Sequence, residues 1–121
     1  MFNDNQRSDR RRHPRFSPKD CTFVADLKIG MVVDVSRGGM AFYYADRKPW
    51  PKSVPQTGTL QHKKNGHFIC NLPMETISDT RLPGTLTVGA MAIHRRSIRF
   101  GRLTTAQKEQ LDKLIAMAAT D

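Results

Sequence analysis

"MVVDVSRGGMAFYYA", residues 31–45, is the stretch whose reading decides the fold. Residues 31–36 are rich in valine, a residue that suits a pleated, half-buried surface. Gly38 and Gly39 then break the run, because glycine tolerates the backbone turns that other residues resist. Residues 40–45, "MAFYYA", resume the apolar character. Strand, glycine turn and strand predict an antiparallel pair with "RGG" (37–39) at its tip.

The pattern extends in both directions. Residues 21–28, "CTFVADLK", read as an earlier strand. Residues 46–58, "DRKPWPKSVPQTG", carry three prolines and no periodicity, so they form a loop. A polyproline recognition segment is one use of such a loop. A rigid surface loop with Trp50 folded onto the protein is the favoured one. "TLQHKK" and "GHFICNL" flank the turn-like "KNG" (64–66) and read as a hairpin. Residues 71–83 read as an irregular connection. "GTLTVGAMAIH" (84–94) and "RSIRFGRL" (96–103) read as closing strands.

The period changes at the C-terminal end. Leu111, Leu114, Ile115 and Ala118 fall at the spacing of one helical face. Thr104 followed three residues later by Gln107 fits a capping box. A helix over about 105–118 is therefore expected. Six or so short strands and one helix indicate an all-β, small closed or partly closed barrel, since closure removes exposed strand edges.

The 121 residues carry a formal charge of +9 and a pI of about 10.2, which favours anionic partners without choosing among them. Cys21 and Cys70 lie far apart and are expected to be buried thiols in a reducing compartment. The N-terminal residues hold no apolar signal-peptide core. No apolar run approaches the roughly 18 residues of a spanning helix. A cytoplasmic location without a membrane span is the expectation.

Catalytic and metal signatures are missing from the sequence. His13, His62, His67 and His94 are scattered, with no HxH or HExxH spacing. There is no GxSxG elbow, Walker loop or GxGxxG. Neither an enzyme nor a metal site is expected.

Two features remain. "DRRRHPRF" (9–16) places Arg10, Arg11, Arg12 and Arg15 in a stretch that Pro14 biases toward extended geometry. Arginine's planar fork binds phosphate bidentately, stacks on flat rings and matches the O6/N7 edge of guanine. In "DVSRGG" (34–39), Asp34 and Ser36 are two apart on a predicted strand and so leave the same face. On an outward face they offer an ionised acceptor beside a hydroxyl, suited to guanine's N1–H and N2–H₂ donors. Gly38 and Gly39 keep that face bare. The competing role, stabilising the turn through local hydrogen bonds, fits this motif better when it is taken alone.

Taken together, the two motifs resemble the PilZ domain family: RxxxR in Arg11-Arg12-His13-Pro14-Arg15, then DxSxxG from Asp34 to Gly39. The likeness continues through "GGMAFYY" and "SIRFGRLTTAQKEQLDKLI" and spans roughly residues 10–117. It implies a six-stranded antiparallel β-barrel with a C-terminal α-helix, preceded by a flexible tail over 1–9. The barrel domain would run over 10–118, with its arginine arm at 10–16.

The resemblance also implies a receptor for cyclic di-GMP, a bacterial second messenger. By position, Arg11 and Arg15 would supply phosphate, Hoogsteen-edge and stacking contacts. Asp34 and Ser36 would read guanine edges, and Gly38 and Gly39 would allow close approach. Arg10 holds the place that, in similar proteins, goes with a stacked ligand dimer, so the implied count reaches two molecules per site. Ser97 departs from the glycine that related sequences often carry there. Arg95, Arg96 and Arg99 would add positive field, with Arg95 a possible contact.

Ligand binding would order the arm and pass a signal to an unidentified downstream protein. Two other readings compete. One is a ligand-independent PilZ-like adaptor. The other is a basic barrel that binds nucleic acid, which the lack of a surface ladder of aromatics disfavours.

Overall fold

The computed structural model describes residues 16–18, 20–25, 28–63, 66–83 and 91–120, with side chains in the C-terminal helix described as far as Met117. Six antiparallel strands close on themselves in the spatial order β1-β2-β3-β6-β5-β4. They are β1 (Cys21–Ala25), β2 (Lys28–Val35), β3 (Gly39–Asp46), β4 (Thr57–His62), β5 (His67–Arg81) and β6 (Ala92–Phe100). Among the described residues one helix, α1 (Thr105–Thr120), follows β6.

Strand alternation sends Phe23, Val35, Met40, Phe42, Leu60, Leu72 and Ile98 into the barrel, where all are almost fully buried. Phe23 and Phe42 meet with ring centroids 5.1 Å apart. Trp50 joins this core, stacked on Tyr44 at 3.9 Å, as the loop reading anticipated.

Leu111 and Leu114 of α1 are buried in the same core. Each such leucine contributes roughly 1.5–3 kcal/mol. The capping box forms reciprocally: the Gln107 amide donates to Thr104 Oγ1 (3.1 Å) and the Thr104 amide to Gln107 Oε1 (2.9 Å). The Gln107 side-chain NH₂ also donates to the carbonyls of Cys70 and Asn71, fastening the first turn of α1 to β5.

Several expectations are corrected. Lys28 opens β2 instead of ending β1. Residues 71–81 are not an irregular connection but part of β5, a strand of 15 residues. Pro73 only removes a donor, and its carbonyl still accepts from the Gly101 amide at 2.8 Å. Asn71, at φ 56°, and a bulge between Thr76 and Ser78 let so long a strand bend round the barrel. The last strand is continuous over 92–100, and the proposed strand residues 84–90 lie outside the described residues.

Cys21 is buried, but Cys70 is exposed, because it follows inward-facing Ile69 and its own side chain therefore turns outward. Arg96 adds no surface field. It points inward and is 1% exposed. Its guanidinium bonds Asp79 Oδ2 (2.7 Å), Thr76 Oγ1 (3.1 Å), the Pro51 carbonyl (3.2 Å) and the carbonyls of Trp50 and Val54. It thereby ties the proline loop to the barrel.

Candidate ligand-binding wall

The outer surface of β2, β3, β6 and β5 is built in rows of cross-strand neighbours. One row runs Asp34–Ala41–Ser97–Ser78. The row on one side is Met31–Tyr43–Arg95–Thr80, and the row on the other holds Gly39, Arg99 and Glu75. Asp34 reaches this face because β2 shifts register between Val32 and Asp34. Without that bulge, strict alternation from inward-facing Val32 would turn Asp34 into the core.

Asp34 is largely shielded, its side chain 15% exposed, and its Oδ2 accepts from Arg95 Nη2 at 3.3 Å. Arg95, the one closing-strand arginine singled out beforehand as a contact, therefore stands beside the motif carboxylate. Arg99 is paired with Glu75. Ser97 lies in the Asp34 row, half-buried, two strands away from Asp34.

Ser36 does not share the outward face with Asp34. β2 ends at Val35, and Ser36 turns its hydroxyl into the loop. Its Oγ accepts from the amides of Gly38 (3.2 Å) and Gly39 (3.3 Å) and lies 3.3 Å from the Gly39 carbonyl. The motif thus divides: its serine shapes the turn, and its aspartate faces the wall. Gly38 gives its carbonyl to the Phe100 amide. Gly39 is required by the sheet itself, since a Cβ there would lie 2.2 Å from the Ile98 carbonyl oxygen.

Phe16 exchanges both backbone hydrogen bonds with Val35, at 2.9 and 2.7 Å. The last residue of the arginine stretch is therefore fixed on Val35, the residue between Asp34 and Ser36. Arg10, Arg11 and Arg15 themselves, and the tail 1–9, lie outside the described residues.

One interaction of the motif turn escaped the sequence reading. Arg37, at the tip of the motif turn, forms a fork with Asp112 of α1: Nε to Oδ1 at 2.6 Å and Nη2 to Oδ2 at 2.7 Å. The hydrogen bond, and then the charge, of Arg37 holds the Asp112 carboxyl below its usual range, and Asp112 raises Arg37 in the same way. Nothing local in the sequence signals a pair of residues 75 apart. Arg37 and Asp112 also line a cleft of about 290 Å³ with Leu103, Lys108 and Leu111. Among the described residues no cluster could hold a metal ion, and no helix is long and apolar enough to cross a membrane.

No family profile matches the sequence, and no curated protein is detectably similar to it. Solved structures do match. The PilZ domain of Escherichia coli YcgR, solved with c-di-GMP, superposes with a TM-score of 0.67 over 92% of both chains at 20% identity. The fold is that of a PilZ domain. Intact E. coli YcgR in complex with c-di-GMP gives the same TM-score over 92% of this chain, which spans 46% of that one. The MrkH–c-di-GMP complex of K. pneumoniae matches with a TM-score of 0.65 at 18% identity, over 88% of this chain and 51% of that one.

Proposed function

We propose that this PilZ-like barrel is a non-catalytic receptor for cyclic di-GMP. The observation that carries the reading is the Phe16–Val35 bridge, which holds the residue that follows Arg15 in the sequence beside the strand that carries Asp34. The PilZ-fold structures it resembles hold the same nucleotide. On this reading Arg11 and Arg15 clamp the phosphates and one guanine edge. Asp34 accepts from the other face of recognition, guanine's N1–H and N2–H₂. Ser36, Gly38 and Gly39 hold the turn in place. Arg10 governs whether a second nucleotide stacks on the first.

The energetics are compatible with an ordering switch. Fixing each arm residue costs roughly 1–2 kcal/mol. Charge-assisted hydrogen bonds return about 1.5–3 kcal/mol each. The signal passes to a downstream protein through the motif turn, whose Arg37 is forked to α1.

Calorimetry with cyclic di-GMP tests the reading. Saturable binding is expected, lost in Arg15→Ala, with the stoichiometry giving one nucleotide or two. No heat at tens of micromolar nucleotide, or unchanged affinity in Arg15→Ala, sinks it.

A further inference from the structure

A purine offers its partner an edge and a face. Asp34 answers the edge, and the described wall also contains a surface suited to the face. Along β3, Phe42 and Tyr44 point inward and are buried, while Tyr43 between them points outward and is 38% exposed. Its cross-strand neighbour Met31 is 66% exposed, a soft thioether side chain beside the ring. Its neighbour on the other side is Arg95.

The adjoining row is low. Ala41 and Ser97 are small, and Ala41 has no exposed surface at all. Asp34 stands at the β2 end of that row, next to the Met31–Tyr43–Arg95 row. Asp34 and Tyr43 are diagonal neighbours, a spacing of about 7–8 Å that aromatic and long side chains can bridge. A planar base lying against this wall could turn its edge to Asp34 and its face to Tyr43. Tyr43 and Met31 together leave apolar surface in water on this face.

We infer that Tyr43, backed by Met31, is the face on which one purine of the ligand stacks. This rests on the receptor reading above and adds a specificity residue that neither motif contains. Arg95 Nη2 reaches across to Asp34 at 3.3 Å. Guanine's donors replace it there and leave its guanidinium to the nucleotide's phosphates.

Two variants test this with cyclic di-GMP. In Tyr43→Ala the affinity should fall between about fivefold and about a hundredfold, the worth of one base–aromatic stack. Tyr43→Phe should bind as the wild type does, and thermal midpoints should be unchanged in both. Tyr43→Trp places an exposed indole on the wall while Trp50 stays buried. Its fluorescence should be quenched on titration, saturating at the calorimetric stoichiometry. A wild type that binds while Tyr43→Ala binds equally well, or an unquenched Tyr43→Trp that still binds, overturns this inference and leaves the receptor reading standing. A wild type that fails to bind overturns the receptor reading and this inference with it.

Discussion

Arg95 and Arg96 leave the same strand in opposite directions. Arg95 points out, keeps 39% of its side chain exposed and meets Asp34 through one nitrogen at 3.3 Å. Arg96 points in, is 1% exposed, and spends its guanidinium on a carboxylate, a hydroxyl and three loop carbonyls. The two charges are equal. Burial and the number of partners separate a contact that a ligand can take over from one that holds a loop in place. The outer wall is built of exchangeable pairs, and the polar interior of fixed ones.

The largest effect should come from breaking the fixed side. Arg96→Ala removes the guanidinium partner of Asp79, leaving it the Tyr44 hydroxyl, and strands the carbonyls of the proline loop. The expected cost is about 3–5 kcal/mol in urea unfolding, as for other buried pairs that lose one member. Arg96→Lys should recover little, since an ammonium cannot reproduce the fork.

Alkali probes the interior next. Burial pushes the Cys21 thiol up to about 11, with Asp20 adding to the rise. Burial, and then the hydrogen bond to Asp79, pushes the Tyr44 phenol up to about 12. Both groups hold their protons more tightly when folded. Their stabilisation is therefore complete below the unfolded-state values and is lost as pH rises through the folded ones. Stability should decline from about pH 9 toward pH 11–12, by up to roughly 1.4 kcal/mol per pH unit for each group. Urea midpoints at pH 8 and pH 10.5 would measure the slope, and Cys21→Ala should reduce it.

On the exchangeable side, Asp34→Asn should weaken cyclic di-GMP binding by about tenfold or more, through loss of a charge-assisted acceptor. Its unfolding midpoint should stay near that of the wild type. The smallest effect on stability belongs to Arg95→Ala, within about 1 kcal/mol, because a partly exposed pair contributes little. A cost for Arg95→Ala approaching that of Arg96→Ala would erase the distinction between the two faces.

Local chemistry made much of this legible in advance. The valine strand, the glycine turn and the Thr104–Gln107 capping box depend on neighbours in sequence, and each appears where the residues place it. β5 was obscured because Pro73 suggests a break, whereas a proline whose carbonyl is still used is compatible with a bent strand. The directions of Arg95 and Arg96 depend on strand register, which no single arginine announces. The outward turn of Asp34 depends on a bulge, and Ser36 departs from its expected face because the strand ends one residue earlier. Tyr43 could have been found: it lies two residues beyond Ala41, the cross-strand partner of Asp34, and so must share that face. The Arg37–Asp112 fork joins distant segments and could not.

The bridge between Phe16 and Val35 has a consequence for kinetics as well as for placement. It fixes the point on the barrel from which the arginine motif is counted. Arg15 is the next residue along, and Arg11 is five away, a chain length of at most about 17 Å. On the receptor reading, cations so near along the chain would meet a bound nucleotide as an intramolecular event, at an effective concentration on the order of millimolar. The local concentration of arginine would then be set by chain length rather than by how much protein is present, and residues inserted between Arg15 and Phe16 should weaken cyclic di-GMP binding while leaving every residue of the barrel in place.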